Sequence, residues 1–396
     1  MNVLVLFGSI GPKGGGAELA TKLYVRLLIK NGVSVRFFNT YKYLAELNPI
    51  DYSFIKIHPV IGYGKYMVAS PSALNALEKA IRWSDIVYCI DCYTLMPFIK
   101  QIFKKPIVLH IHSYFPVCPV GHLYNFMYND ICQPHNRICS KCILIYEFTR
   151  RPMKLAMTSS LLNSTFSKLF LRHVIMSDAV IFVSKTQEIL FKKHMIHLYD
   201  RMPKSFVIHN PLPNIKPLPM ENDDVGFLGG LNPIKGFCIL LYSWLRIYRR
   251  FWNVKLRMAM SKHLASIFTK FNIVKYPRLR DKGLREFYKQ LRLVVVPSIC
   301  PEPSPYVSIE ACLYGRLLVA SRIGGIPEIV GNLLGVRLIP PSDINAFANA
   351  LEWALSMDKK EAIELGLRNR EGILKRFNNE RIVDGLIRIF ERVMNS

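Results

Sequence analysis

Two carboxylates eight positions apart, Glu302 and Glu310, stand in the run Pro301-Glu-Pro-Ser-Pro-Tyr-Val-Ser-Ile-Glu-Ala311. A short apolar stretch, Leu293-Val-Val-Val-Pro-Ser298, precedes them. A helix-like segment and Ser321-Arg-Ile-Gly-Gly-Ile-Pro-Glu-Ile329 follow. Strand, acidic loop, helix, strand and glycine pair form the layout of a phosphate- and sugar-binding corner in an α/β domain. There, N–H groups at a helix start face an anion and carboxylates grip hydroxyls. An isolated pair at this spacing reads as a helix cap and a solvated face; here the flanking pattern argues for chemistry.

Three other groups of residues have chemical potential. Gly8-Ser-Ile-Gly-Pro-Lys-Gly-Gly-Gly16-Ala-Glu18 lets backbone approach a ligand at a helix start, through Gly15 and Gly16 above all. It has neither the spacing of a dinucleotide fingerprint nor the Lys-Ser/Thr of a P-loop. His110 and His112 lie two apart on a strand end and share a face, so either could be buried and merely hydrogen-bonded; His110 is expected to point into the sheet. Cys118, Cys132, Cys139 and Cys142 fall within one short segment that also holds His122 and His135, with Cys139 and Cys142 in C-x2-C spacing. Four thiolates suit a tetrahedral structural zinc; disulfides and reduced thiols are the other readings, and a structural site of metal or disulfide is favoured. Cys89 and Cys92 read as ordinary buried residues. No DxD metal motif stands out, and Asp91 has only a weak claim as an acidic group.

These residues need a frame. Val3 to Phe7 reads as a first buried strand, Leu19 to Leu28 as a helix stopped by Asn31-Gly32, and Val33 to Phe38 as a second strand. Further strands are expected at Asp85 to Ile90, Ile107 to His112, Ala179 to Val183 and Ser205 to Ile208, alternating with helices. That order predicts α/β domains with parallel, doubly wound sheets. The proline-rich segment 210–219 continues neither element and reads as a linker between a first domain, 1–209, and a second, 220–378. Residues 379–396 form a last helix, placed to cross back to the first domain.

Composition narrows the class. At 396 residues two domains are the natural expectation, and 51% hydrophobic against 20% charged residues excludes a disordered chain. No apolar run approaches the ~20 residues of a membrane-spanning helix, and residues 3 to 7 lack a signal peptide's basic flank. A cytoplasmic protein is expected. The net charge of +25 is spread along the chain, with 25 Lys and Arg against 11 Asp and Glu in residues 1–205 and 28 against 17 in 206–396. Such a field favours anionic partners, nucleotide diphosphates or an anionic membrane surface; no nucleic-acid motif accompanies it. Tyr248 to Trp252 and Phe166 to Arg172 mix basic and aromatic residues, as membrane-surface segments and ordinary amphipathic helices both do.

The string E-P-x-P-x-x-x-x-E-A followed by S-x-x-G-G-x-P-E-I resembles the donor-site signature of the family 4 glycosyltransferases, which are retaining enzymes of GT-B type. The resemblance runs over nearly the whole chain and implies two Rossmann-like domains facing a central cleft. Phe227-Leu-Gly-Gly-Leu-Asn-Pro-Ile-Lys-Gly-Phe237 resembles the family's G-R-L-x-x-x-K-G loop, which implies that Lys235 neutralises the donor diphosphate as a leaving group. The family arginine is replaced by Gly230, with Arg322 and Arg278 as candidates to stand in for it. By the same resemblance Glu310 holds ribose hydroxyls and Glu302 the transferred sugar. The amides of Tyr306 and Val307 face phosphate, and Gly229, Gly230, Gly324 and Gly325 leave room for the nucleotide. Pro305 stands where the family usually has glycine and removes one amide donor. Val108-Leu-His-Ile-His-Ser-Tyr-Phe-Pro-Val-Cys-Pro119 resembles H-D-Y-W-x-x-C-P, which places His112 on the donor sugar, with Ser113 replacing aspartate. A similar cysteine insert occurs at this place in some members. The implied activity is sugar transfer from a nucleotide-diphosphate donor to a saccharide, lipid or lipid-linked acceptor bound mainly by the first domain, without a catalytic metal. The alternatives are a non-catalytic nucleotide-sugar or membrane-binding relative and a GT-B epimerase.

Overall fold

In the computed structural model the described residues are 1–7, 15–39, 57–59, 67–69, 71–134, 139–149, 152–259, 269–276, 279 and 281–396. Most of the glycine loop before Gly15, together with His135 and Arg278, lies outside them. The chain divides into two units, one of residues 1–212 with 378–396 and one of residues 213–377.

Unit 1 is built on six parallel strands: β1 (Asn2–Phe7), β2 (Ser34–Asn39), β3 (Ile86–Ile90), β4 (Ile107–Ile111), β5 (Ala179–Phe182) and β6 (Lys204–Val207). Their order across the sheet is β6-β5-β4-β3-β1-β2. Residues 3–7 of β1 and all of β3, β4 and β5 are buried. A parallel sheet covered on both faces requires such continuous apolar runs. The helix Gly16–Lys30 buries Ala20, Thr21, Tyr24, Val25 and Leu28, a helical stripe, and ends at Asn31 and Gly32, whose φ of +77° suits glycine. The final helix, Asn379–Met394, is capped by the Asn378 side chain, which accepts from the amides of Glu380 and Arg381. It buries Val383, Leu386, Ile389, Phe390 and Val393 within unit 1, with Phe390 edge-on to Tyr88 at 5.1 Å.

Unit 2 has six more parallel strands: β7 (Asp224–Phe227), β8 (Leu256–Ala259), β9 (Ile273–Tyr276), β10 (Leu291–Val296), β11 (Leu317–Ser321) and β12 (Val336–Ile339). They are ordered β9-β8-β7-β10-β11-β12. Strand β10 begins two residues before the apolar run read from sequence, because Arg292 is buried within it. Its guanidinium pairs with Asp223 at 2.8 Å and donates to the Met357 carbonyl at 2.7 Å, which satisfies a charge that would otherwise break the strand. Residues 213–219, part of the segment 210–219 read from sequence as a linker, are hydrogen-bonded to the rest of unit 2. Buried Arg316 donates to the carbonyls of Leu218 (3.1 Å) and Pro219 (2.8 Å), and Arg370 donates to Ile215 (2.7 Å).

Candidate functional site

In an open parallel sheet, ligands collect beyond the carboxyl ends of strands where the strand order reverses. In unit 2 that point lies between β7 and β10. The loops leaving these two strands carry Gly229, Gly230 and Lys235 on one side, and Ser298 and Glu302 on the other. They meet: Lys235 Nζ forms an ion pair with Glu302 Oε2, and Ser298 Oγ donates to Glu302 Oε1. The Glu302 side chain is 11% exposed and that of Lys235 36%. The pair is therefore sheltered but open to a competing anion.

Backbone geometry fixes this contact. Asn232 caps the turn Pro233–Lys235, and Ile299 N–H donates to the Ile234 carbonyl at 3.0 Å, joining the two loops. Gly236 has φ of +76°, and a Cβ there would lie 1.8 Å from the Pro297 carbonyl oxygen, so no other residue fits. Gly324, with φ of +57°, is equally constrained: its Cβ would lie 2.3 Å from the Glu302 carbonyl oxygen. Gly325 N–H donates to that same oxygen at 2.8 Å. The chain's own backbone at Glu302 thus requires glycine at 324, independently of any ligand. Gly229 has a similar internal reason, since its Cβ would meet the Phe227 ring at 2.3 Å. Gly230 has φ of +63°, a conformation that an arginine adopts only at a cost. Arg322 is exposed and donates to the Leu338 carbonyl at 3.4 Å.

Glu310 lies on the helix Tyr306–Leu313, whose N-cap is Pro305. The amides of Tyr306 and Val307 open this helix, in the first turn where N–H groups have no intrahelical acceptor. Tyr288 OH donates to Glu310 Oε2 at 3.2 Å, and the Tyr288 ring stacks on Tyr314 at 4.2 Å. Burial raises the Glu310 carboxyl to about 7, against the lowering effect of the Tyr288 bond. Tyr288 carried no motif in the sequence, and folding brings it to Glu310 from 22 positions away, whereas Ser298 is only four positions from Glu302.

Unit 1 has its own reversal, between β1 and β3. Beyond β1, Gly15 caps the helix that opens at Gly16, and none of the described residues lies within 4 Å of where a Gly15 Cβ would sit. Beyond β3, Asp91 takes φ of +45°, and its Oδ1 accepts from the His112 N–H (3.1 Å) and the Tyr93 hydroxyl (2.9 Å). The acid with a weak claim in sequence thus fixes the backbone at His112. His110 is fully buried within β4 and pairs through Nδ1 with Tyr88 OH at 2.6 Å. The two imidazoles lie 4.5 Å apart, and the Tyr24 ring stands 5.1 Å from His110. Burial, and then the neighbouring His112, hold His110 well below its ordinary value; burial lowers His112 to about 3. Both are neutral near pH 7. Among the described residues, Nε2 of each ring is buried without a hydrogen-bond partner.

No disulfide joins any of the cysteines among the described residues, and Cys89 and Cys92 are buried in the unit 1 core. Cys118, Cys132, Cys139 and Cys142 line one small cavity. Burial raises Cys132 to about 12, with Cys118, Cys139 and Cys142 adding to the effect. Of the aromatic–basic segment 166–172, Phe170 is fully buried and stacks on Tyr93 at 5.1 Å, so only Lys168, Leu169 and Arg172 face outward.

The two units together have the GT-B type of fold. Sucrose-phosphate synthase from Thermosynechococcus elongatus superposes with a TM-score of 0.66 at 18% identity, covering 100% of both chains. The Anabaena HepE structure in complex with UDP and glucose gives 0.64 at 17% identity over 98% of this chain and 99% of that one. Residues 222–357, which include Gly230, Lys235, Glu302, Glu310 and Gly324, match the family model Glycosyl transferases group 1. The D-inositol 3-phosphate glycosyltransferase of Saccharomonospora viridis is 25% identical over 232 residues, 50% of this chain and 53% of that protein. The chain thus matches about half the length of this relative.

Proposed function

We propose that this protein is a retaining, family 4-like glycosyltransferase that moves a sugar from a nucleotide-diphosphate donor to a hydroxyl acceptor. The observation that carries the reading is the Lys235–Glu302 pair at the unit 2 switch point, with Glu310 on the next helix, inside the segment matched as glycosyl transferases group 1. A diphosphate arriving there exchanges partners with the pair. The Lys235 ammonium turns to phosphate, assisted by the first-turn amides of Tyr306 and Val307, and the released Glu302 carboxylate accepts from hydroxyls of the sugar. Glu310, once ionised, accepts from the ribose diol. As the bond from the anomeric carbon to phosphate breaks, Lys235 stabilises the leaving charge. The acceptor oxygen bonds to the same face of that carbon, and its proton passes to the leaving phosphate. The neutral His112 imidazole offers Nε2 to a sugar hydroxyl. The HepE neighbour was crystallised with UDP and glucose, which makes UDP the first probe.

Incubation with a panel of nucleotide sugars, read by mass spectrometry for hydrolysis or transfer, tests the reading. Release of nucleotide diphosphate that falls in Lys235→Ala and Glu302→Gln supports it. A wild-type protein inert toward every donor would instead favour a non-catalytic relative, the reading to which the glycine at 230 and the proline at 305 lend weight.

The acceptor we favour is lipid or lipid-linked, with the protein cytoplasmic and peripheral on an anionic membrane surface. The helix Met153–Ile175 has no acidic residue and exposes Met153, Met157 and Leu161 at i, i+4 spacing, beside Lys154, Lys168 and Arg172. Apolar and basic groups on one face suit an anionic headgroup layer. Among the described residues no helix is long and apolar enough to cross a membrane.

A further inference from the structure

We propose that Cys118, Cys132, Cys139 and Cys142 form a tetrahedral four-thiolate site for one zinc ion, in the segment that follows β4. The four residues come from three different local structures. Cys118 closes a turn, its N–H donating to the Tyr114 carbonyl at 2.7 Å. Cys132 ends a small ribbon of Tyr124–Asn125 and Asp130–Ile131, its N–H donating to the Leu123 carbonyl at 2.8 Å. Cys139 and Cys142 sit one turn apart at the start of the helix Cys139–Phe148. Folding nonetheless brings all four to a single cavity of about 20 Å³, lined otherwise mainly by apolar residues such as Val117, Val120 and Ile143. That volume holds a single water-sized guest.

The setting suits a soft metal. Sulfur outnumbers every other ligand type around the cavity, as zinc prefers, and the first turn of a helix favours negative charge. The Phe126 N–H already donates to Cys142 Sγ at 3.4 Å, the kind of bond that supports a metal thiolate from outside the ligand set. Among the described residues no three such side chains are yet arranged to hold an ion. The thiols surround the space, and the ion would draw the sulfurs to the usual Zn–S distance of ~2.3 Å. Each thiol that binds releases one proton. A metal held by the turn at Cys118, the ribbon at Cys132 and the helix Cys139–Phe148 would cross-link three local structures that follow His112 in the chain.

Metal analysis of the full-length protein, purified without chelator under reducing conditions, tests this. One zinc per chain is expected, with thiols at these four positions that label slowly until a chelator is added. Cobalt added to the stripped protein should give the intense visible bands of tetrahedral thiolate coordination. Cys132→Ser and Cys142→Ser should each lower zinc affinity by more than about tenfold, a loss that outer-shell changes alone already reach. Wild-type protein with no zinc and four fast-labelling thiols would overturn the assignment. So would disulfides among these cysteines, or an iron chromophore in place of zinc; none of these readouts depends on the variants folding.

Discussion

Glu310 makes one side chain responsible for opposite trends in binding and stability. Its carboxyl is raised to about 7 by burial, from an ordinary value near 4.5. A carboxyl that is harder to ionise in the folded state gives stability at low pH that is lost as pH rises from 4.5 through 7. At ~1.4 kcal/mol per pH unit, the wild type should lose about 3 kcal/mol across that window from this group alone. Glu310→Gln keeps an acceptor for Tyr288 OH without the charge. It should match the wild type near pH 5 and exceed it by up to about 3 kcal/mol near pH 8. In the proposed donor site binding should run the other way, because only an ionised carboxylate can accept from both ribose hydroxyls. With a group titrating near 7, the ionised fraction rises about tenfold between pH 6 and pH 8, and affinity for UDP should rise with it. In Glu310→Gln the binding profile should be flat and weaker at pH 8, by ~1.5–3 kcal/mol. Urea titrations and calorimetry with UDP at pH 5, 6, 7 and 8 measure both. A variant no more stable than wild type at pH 8 would refute the burial argument, and unchanged UDP affinity would refute the ribose assignment.

Lys235→Ala should weaken UDP binding by tenfold to a hundredfold, the loss of a charged hydrogen bond, while Glu302→Gln should lower turnover more than affinity; steady-state kinetics with the active donor separate the two. Gly324→Ala should destabilise unit 2 by at least ~1–3 kcal/mol, because its φ is +57° and the Glu302 backbone occupies the Cβ position; a denaturant melt shows whether the midpoint falls. Buried Glu188 is pushed up by burial but held down to about 2 by its bonds to Lys185, Lys192 and Ser205. Its stabilisation should be complete above pH 4.5 and lost as pH falls toward 2, about 2 kcal/mol after screening at exposed Lys185, a loss that Glu188→Gln should not show in acid titration. The wild type should pellet with anionic but not neutral vesicles at low salt and be released near 1 M salt, and Met157→Glu with Leu161→Glu should abolish pelleting; wild-type protein that stays in the supernatant would remove the membrane reading.

The sequence by itself determined the α/β character of both halves, because buried parallel strands must be written as apolar runs such as Val3 to Phe7 and Leu293 to Val296. It also singled out Glu302 and Glu310, by their spacing between an apolar strand and a helix, and Lys235, by the resemblance of its loop to the family's G-R-L-x-x-x-K-G. Only the tertiary structure decided what each charge touches. Lys235 and Glu302 are 67 positions apart, and they pair because β7 and β10 are neighbours at the strand-order reversal. Tyr288 reaches Glu310 from the helix that precedes β10, and Ser298 reaches Glu302 across one turn of the loop that follows it. Gly324 reads in sequence as clearance for a ligand, and the fold adds a second reason for glycine at the Glu302 backbone, because close approach between distant loops leaves no mark in sequence beyond the glycine itself. Arg292 looked like a break in β10, yet its charge is satisfied by Asp223 and by carbonyls over 60 positions away, which sequence periodicity cannot register.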